Sequence, residues 1–207
     1  MGAIVHGEDG AQVLRQLASA LDRRLLLVRP EHGTVWGWLG GRRRAPVGNA
    51  LQRIAPVVGS DVTIALGEPA PGVAGWRLTH EQADAALRVG RPGHGGVIRY
   101  SDVGLLASIS QDRLLADSLR QQFLSPLIET RDGGTSLRKT LRAYFTAGRN
   151  VSSAASALGV SRQTVGNRLR TIEEKLNRTL ESCAPEMELA LRLDELSDRV
   201  SAGSPEP

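Results

Sequence analysis

The hydrophobic pattern of the sequence changes near Asp102, and this change constrains the fold more than any other feature. Before Asp102, short apolar runs alternate with amphipathic stretches in the order β-α-β-β-α-β-α-β. After Asp102, the apolar residues recur only at helical spacing. We therefore predict an α+β chain: an N-terminal sandwich, with helices on one face of a mostly antiparallel sheet, followed by an all-α region.

Linker signals divide the chain further. The run Arg-Asp-Gly-Gly-Thr at 131–135 is the best linker candidate, and the small, polar, proline-containing C-terminus is typical of disorder. The predicted boundaries are an α+β domain over 1–104, a helical connector over 105–132, a helical domain over 133–200 and a disordered tail over 201–207.

The composition excludes several classes of protein. Aromatic residues make up 3% of the 207 residues, so the core must consist mainly of Leu, Val, Ile and Ala. Cys183 is the single cysteine, which excludes an internal disulfide framework and a cysteine-rich zinc site. No run approaches the ~18 apolar residues of a membrane span, and the first residues lack the pattern of a signal peptide. We therefore expect a cytoplasmic protein without membrane contact.

Basic residues are concentrated in one segment of the chain. Residues 131–183 carry 10 basic and 4 acidic side chains, whereas residues 1–130 carry 14 and 12, and residues 184–207 carry 2 and 6. A basic block between neutral and acidic flanks suits binding to a phosphate backbone. Arginine supplies 24 of the 26 basic residues, which a GC-rich genome explains equally well, but such a genome does not explain the clustering.

The basic block contains the pattern of a helix-turn-helix. Three helices are predicted, at about 137–147, 151–158 and 162–176. Asn150 and Ser161 are suited to cap the second and third helices, and Gly159 supplies the tight turn between them. Ala154 and Ala155 are small at the point where two helices must cross closely. A helix, a turn through glycine and a second helix form the helix-turn-helix plan.

The third of these helices has two distinct faces. An apolar stripe is formed by Val165, Leu169, Ile172 and Leu176. The residues predicted to contact DNA are Ser161, Arg162, Gln163, Thr164, Asn167, Arg168, Arg170 and Thr171. Gln and Asn can pair with adenine and Arg with guanine in the major groove, while Ser161, Arg162 and Arg168 can reach phosphates. The alternative is an ordinary surface helix with a solvated polar face.

The run from Leu141 to Leu176 resembles a known family. Its motifs are Ala154-Ala155, Leu158, Arg162-Gln163-Thr164-Val165, Arg168-Leu169 and Ile172. Together they resemble the C-terminal domain of PucR-type (CdaR-type) bacterial transcriptional regulators, whose helix-turn-helix is similar to that of the Fis nucleoid protein. The resemblance implies a DNA-binding regulator of a catabolic or secondary-metabolic operon. The family often has Tyr where Asn167 stands, so its base preference at that position does not carry over.

The first half of the chain carries a second, less specific resemblance. The segments 63–67 and 75–87 resemble parts of the degenerate GGDEF-like domain that commonly precedes the helix-turn-helix in this family. The first strand looks clipped at Met1, and the further N-terminal sensor domain of most family members has no counterpart in this sequence. A working cyclase of that fold needs paired acidic residues at the hairpin turn to hold two Mg²⁺ ions. The turn at 29–33 contains one acid, Glu31, so we predict no enzyme activity, no cofactor and no metal site.

Three interpretations remain open at this stage. The chain is a transcriptional regulator, a nucleotide- or small-acid-binding sensor or enzyme, or a nucleoid-like architectural DNA binder. The expected partners are double-stranded DNA, a second copy of the chain and an unidentified small-molecule effector. Two apolar stripes could pair with a second copy or pack within their own domains: Leu114, Leu115, Leu119 and Phe123 in the connector, and Met187, Ala190, Leu191 and Leu193 near the C-terminus. We favour pairing for the connector, and we expect a homodimer held by the α+β domain and the connector and bound to an inverted repeat.

Overall fold

The chain folds into two compact units, Met1–Ser108 and Ile109–Pro207. The structure is a computed structural model, and it describes residues 1–41, 47–54, 58–90, 95–128, 132 and 134–203, with side chains up to Asp198. Part of the predicted linker (131 and 133) and residues 204–207 of the predicted tail lie outside these described residues, whereas residues 201–203 of that tail are helical.

The first unit has the predicted order of strands and helices. Its strands are β1 (Gly2–His6), β2 (Arg24–Glu31), β3 (Thr34–Gly40), β4 (Thr63–Leu66) and β5 (Gly96–Arg99). Its helices are α1 (Gly10–Ala20), α2 (Val47–Ile54) and α3 (Gly72–Val89), and α4 (Tyr100–Gln111) follows β5. The α+β class predicted from the sequence is thereby confirmed for this half of the chain.

The five strands form one mixed sheet in the order β2-β3-β1-β4-β5. β1 is antiparallel to both β3 and β4, and β2 and β3 form a hairpin, so the predicted mostly antiparallel sheet is confirmed. β4 and β5 are parallel and are joined by the crossover helix α3. β1 is the central strand and pairs with β3 from Gly2 to His6.

The helices cover both faces of the sheet, which corrects the prediction that they lie on one face. Gly37 faces α1, since a Cβ added there would lie 2.9 Å from Cδ1 of Leu14. The next residue, Trp38, donates from Nε1 to the carbonyl oxygen of Trp76 in α3, at 3.2 Å. Neighbouring residues of a strand point to opposite faces, so α1 and α3 lie on opposite faces. The sequence pattern gave no sign of this, because β1 is too short to show whether one or both of its faces are buried.

The second unit is entirely helical over its described residues, as predicted. It contains α5 (Arg113–Phe123), α6 (Ser125–Ile128), α7 (Thr135–Thr146), α8 (Val151–Leu158), α9 (Arg162–Leu176) and α10 (Ala184–Gly203). α5 packs against α10, and α7, α8 and α9 pack against one another. The side chains buried most completely are Leu127, Leu141, Val165, Ile172, Met187 and Leu193. In the described part of the chain, no helix combines the length and apolar character needed to cross a membrane.

The predicted connector is built from helices that belong partly to this second unit. From Ile109 onward its described residues lie in the second unit. Its apolar stripe is divided, because Leu119 and Phe123 are buried whereas Leu114 and Leu115 are exposed. The stripe near the C-terminus is buried at Met187, Ala190, Leu191 and Leu193, so it packs within its own domain.

The close contact between β4 and α3 at Gly67 provides a test of the fold of the first unit. The Gly67 amide donates to the Gly2 carbonyl oxygen at 3.0 Å, and a Cβ on Gly67 would lie 1.9 Å from the carbonyl oxygen of Thr79. Since the backbone of α3 would have to move, we expect Gly67→Ala to lower the free energy of unfolding by about 1–3 kcal/mol. Urea unfolding followed by tryptophan fluorescence measures this, because all three tryptophans lie in the first unit.

Gly48→Ala is the matched control for this substitution. Gly48 lies in α2, and a Cβ there would meet no atom within 4 Å. We expect the control to be neutral or to stabilise the unit by up to about 1 kcal/mol, because alanine is the better helix former. Equal unfolding midpoints for the two variants would contradict the close packing of α3 on β4.

Candidate nucleic-acid interface

The turn between α8 and α9 has the geometry that the sequence predicts. Asn150 Oδ1 accepts a hydrogen bond from the Ser153 amide at 3.0 Å and so caps α8. Ser161 Oγ accepts one from the Thr164 amide at 3.0 Å and caps α9. Gly159 ends α8 in the left-handed region, with φ 64°, where a residue with a side chain is disfavoured. The two predicted caps and the glycine turn are therefore confirmed.

The inner face of α9 fixes this helix against the rest of the domain. All four residues of the predicted apolar stripe, Val165, Leu169, Ile172 and Leu176, are buried. Ala154 and Ala155 of α8 are also buried, which agrees with a close crossing of α8 and α9 at small side chains. Because the inner stripe is held in this way, the polar residues of α9 are directed away from the core.

The outer face of α9 presents a row of polar side chains to solvent. Of the eight residues predicted to contact DNA, the exposed ones are Ser161, Arg162, Gln163, Asn167 and Arg170. The other three, Thr164, Arg168 and Thr171, are partly buried. Two of these three form local bonds, since Thr164 Oγ1 lies 2.8 Å from Ser161 Oγ and Thr171 Oγ1 donates to the Asn167 carbonyl oxygen at 3.1 Å.

Arg168 is turned toward α7. Its Nη1 donates to Thr140 Oγ1 at 3.2 Å, and the Thr140 hydroxyl in turn donates to the Ser136 carbonyl oxygen at 2.8 Å. The Thr140 side chain is fully buried, so this link satisfies a polar group in the core of the domain. The sequence pattern placed Arg168 beside the phosphates because it shows which flank of α9 the residue occupies but not which partner its long side chain finds.

Gly166 is a feature of this face that sequence reasoning missed. It lies in the interior of α9, where glycine costs roughly 1 kcal/mol relative to alanine, and a Cβ there would meet nothing within 4 Å. At a spacing of four residues, it lies between Arg162 and Arg170 on one flank of the helix. It therefore leaves a gap in the polar face through which another molecule can approach the helix backbone.

The arginines of this domain fall into two electrostatic groups. On α7, Arg142 contacts Asp194 at 2.9 Å and Glu195 at 2.8 Å, so its charge is balanced by α10. On α9, none of Arg162, Arg168 and Arg170 has an acidic partner within the described part of the chain. The positive charge of the outer face of α9 is therefore available to an anion such as a phosphate group.

Other candidate groups for chemistry are metal-ligating side chains, the Glu31 carboxylate and the Cys183 thiol. Across the described residues, no three His, Cys, Asp or Glu side chains are placed to hold a metal ion. In the β2–β3 turn, Glu31 Oε1 accepts a hydrogen bond from the Thr34 hydroxyl at 3.4 Å. Burial raises the pKa of the Cys183 thiol, which donates to the Thr179 carbonyl oxygen at 3.4 Å, so this thiol is poorly suited to act as a nucleophile.

Comparisons with known proteins agree with the motifs. Residues 137–194 match the family model of the PucR C-terminal helix-turn-helix domain, and residues 2–89 match that of the GGDEF-like domain. Both resemblances stated from the motifs are thereby confirmed. Among solved structures, the chain is similar to the Regulator of Polyketide Synthase Expression from Bifidobacterium adolescentis, with 17% identity, coverage of 95% of this chain and 84% of that chain, and a TM-score of 0.37. No curated protein sequence matches the chain.

The link between Arg168 and Thr140 predicts a difference in stability between two arginine variants. We expect Arg168→Ala to lower the free energy of unfolding of the helical domain by about 1 kcal/mol, because the buried Thr140 hydroxyl loses a partner. Arg162→Ala is the control, since Arg162 is exposed in the first turn of α9, where a positive charge opposes the helix dipole. Denaturation followed by circular dichroism would contradict the link if both variants had the stability of the original chain.

Proposed function

Since the chain belongs to the PucR type, with a GGDEF-like domain ahead of a PucR C-terminal helix-turn-helix domain, we propose that it is a sequence-specific DNA-binding transcriptional regulator. The observation that carries this proposal is the outer face of α9, where exposed arginine and amide side chains without acidic partners share one helix surface. A regulator of this kind acts in the bacterial cytoplasm, on double-stranded DNA.

In the proposed complex, α9 is the recognition helix and enters the major groove. Gln163, Asn167 and Arg170 contact base edges, because amide and guanidinium groups can form paired hydrogen bonds with adenine and guanine. Ser161, Arg162 and the free amides at the start of α9 contact a phosphate, which the positive end of the helix dipole also attracts. The gap at Gly166 allows the helix backbone to come close to the DNA.

The remaining three predicted residues, Thr164, Arg168 and Thr171, have secondary roles in the proposed DNA contact. Thr164 and Thr171 flank the base-contacting row and reach the edges of the groove. Arg168 is partly buried and uses one of its guanidinium donors for Thr140, so we expect its contribution to DNA binding to be smaller than that of Arg162 or Arg170. Each of these assignments follows from the position of the side chain on α9.

We propose that the GGDEF-like domain of this chain is not catalytic. Two-metal cyclase chemistry requires paired acidic side chains at the hairpin turn. The β2–β3 turn has Glu31 as its single acid, with Arg29 and His32 beside it, and the Glu31 carboxylate accepts a hydrogen bond from Thr34. A single carboxylate with a positive Arg29 beside it would bind Mg²⁺ poorly, so a structural or sensing role fits this domain better than turnover.

The role of Asn167 in sequence recognition can be tested directly. Once the preferred site has been selected from random duplexes, we expect Asn167→Ala to relax the preference at one or two base pairs and to cost about 1–3 kcal/mol against that site. Arg162→Ala is the comparison, because loss of a phosphate contact should weaken binding to all duplexes alike and reduce the salt dependence. Competition binding against the selected and random duplexes measures both effects.

One outcome of this experiment would favour a different function. If Asn167→Ala weakens binding to the selected duplex and to random duplexes equally, Asn167 contacts the backbone and does not read bases. A chain in which Gln163, Asn167 and Arg170 all behave in this way would be an architectural DNA binder with little sequence preference.

We further propose that the regulator binds DNA as a homodimer. A single helix-turn-helix reaches one short stretch of major groove, whereas a dimer places two recognition helices in successive grooves about 34 Å apart. The apolar residues available for pairing in the predicted connector are Leu114, which is 80% exposed, and Leu115, which is 41% exposed. Exposed leucines in neighbouring positions at the start of α5 are a candidate contact between two copies.

Sedimentation at micromolar concentration tests the dimer. We expect the original chain to sediment as a dimer and to bind an inverted repeat more tightly than a single half-site. Replacing both Leu114 and Leu115 by Gln should shift the protein toward monomer and remove that advantage, whereas Ile128→Gln, at another exposed apolar position, should have no effect. A monomer that binds one half-site as tightly as the full repeat would contradict the proposal.

A further inference from the structure

All three tryptophans of the chain lie in one cluster on the α3 side of the sheet. Trp38 stacks on Trp76 with 4.7 Å between ring centroids, and Trp36 meets Trp38 edge to face at 6.4 Å. The ring of His80 stacks on Trp38 at 5.1 Å and meets Trp36 at 4.6 Å. Because aromatic residues make up only 3% of the chain, their concentration at one place makes this surface a candidate binding site.

Part of this cluster is open to solvent. α3 packs on β1, β4 and β5, while β2 forms the edge of the sheet beyond β3. On the same side of the sheet, Leu26 is 54% exposed and Trp76 is 44% exposed. Apolar side chains that stay exposed next to one another commonly mark a binding surface.

Trp76 borders a groove of about 350 Å³ between the β2–β3 hairpin and the start of α3. Its exposed apolar side chains are Leu26 and Trp76, and the buried Trp38 also lines it. Gly40 and Gly72 also line it, and a Cβ on either of them would meet no atom within 4 Å. These glycines therefore keep space open beside the tryptophans, and the volume lies within the range of small-molecule sites.

The charge in the groove is of one sign. Arg24 is the single charged side chain among the lining residues, which also include Met1 with its α-amino group, and Arg24 has no acidic partner within the described part of the chain. A planar guanidinium forms paired hydrogen bonds with a carboxylate, and its charge repels the organic cations that tryptophan faces would otherwise attract. A groove without a glycine-rich phosphate loop at a helix start is a weak match for a nucleoside polyphosphate.

We propose that this groove binds a small planar aromatic carboxylate. The aromatic ring lies against the exposed Trp76 with Leu26 on its other side, and the carboxylate pairs with Arg24. The proposal concerns the GGDEF-like domain alone and goes beyond DNA recognition, because it gives the chemical class of an effector. Its failure would leave the role of α9 untouched, since none of the groove residues belongs to the helix-turn-helix domain.

The tryptophans themselves report the binding. A ¹⁵N-labelled chain has three indole N–H signals, all from this cluster, so shifts of these signals locate a ligand without further assignment of the protein. The probe is 2-naphthoate, and 2-naphthol is the matched probe that has the same rings without the carboxylate. We expect 2-naphthoate to shift at least one of the three indole signals and to bind at least tenfold more tightly than 2-naphthol in calorimetry.

Two variants separate the charge of the groove from its shape. Arg24→Gln should weaken 2-naphthoate at least tenfold and leave 2-naphthol unchanged, whereas Arg29→Gln, at an exposed position of the same strand outside the groove, should change neither. Gly40→Leu adds a side chain where there is open space, and it should weaken both probes.

Two outcomes would overturn the proposal. If both probes bind equally and Arg24→Gln has no effect, the groove is an apolar surface without specificity for a carboxylate. If neither probe binds and the indole signals shift with protein concentration, a second copy of the chain covers the groove. As a control, the Arg24→Gln variant should bind the selected DNA duplex as tightly as the original chain does. Equal binding on the same preparation shows that the helix-turn-helix domain is intact.

Discussion

The pairing of β1 with β3 and β4 is the interaction on which the first unit depends. β1 is short, yet it is hydrogen-bonded on both edges and buried on both faces. Ala3 and Val5 point into the cluster with α1, whereas Gly2 lies so close to α3 that its amide donates to Thr79 Oγ1 at 2.6 Å. A strand in this position leaves little freedom to its neighbours, because a shift of register by one residue would turn Ala3 and Val5 away from α1.

The position of the tryptophan groove follows from this arrangement. With α3 held over the middle of the sheet by Gly2 and Gly67, the outer strand β2 receives less cover on that side. Trp36 and Trp38 of β3 therefore lie between a covered and an open region, and Trp76 closes over them from α3. The proposed ligand would take the place of packing that the sheet does not receive from its own helices.

The sequence predicted the order of elements in the first unit and the helix-turn-helix almost completely, because both depend on local signals. Asn150, Gly159 and Ser161 act through bonds to residues three or four positions away, and their roles can be read from spacing alone. Which face of the sheet each helix covers, and the bond between Arg168 and Thr140, depend on contacts between residues far apart in the chain. The tryptophan cluster was missed for the same reason, since 38 residues separate Trp38 from Trp76.

An arginine without an acidic partner is not by itself a sign of function, because a solvated guanidinium on a surface costs little free energy. What distinguishes Arg162 and Arg170 is their surroundings: amide and hydroxyl side chains of the types that can hydrogen-bond to bases or phosphates, and a glycine that leaves space for the approach. What distinguishes Arg24 is the exposed Trp76 indole in the same groove, against which a hydrated inorganic ion gains little and a flat organic anion gains stacking as well as charge pairing. The same residue type therefore points to DNA in one unit and to an aromatic acid in the other, because the neighbouring side chains decide which anion gains most.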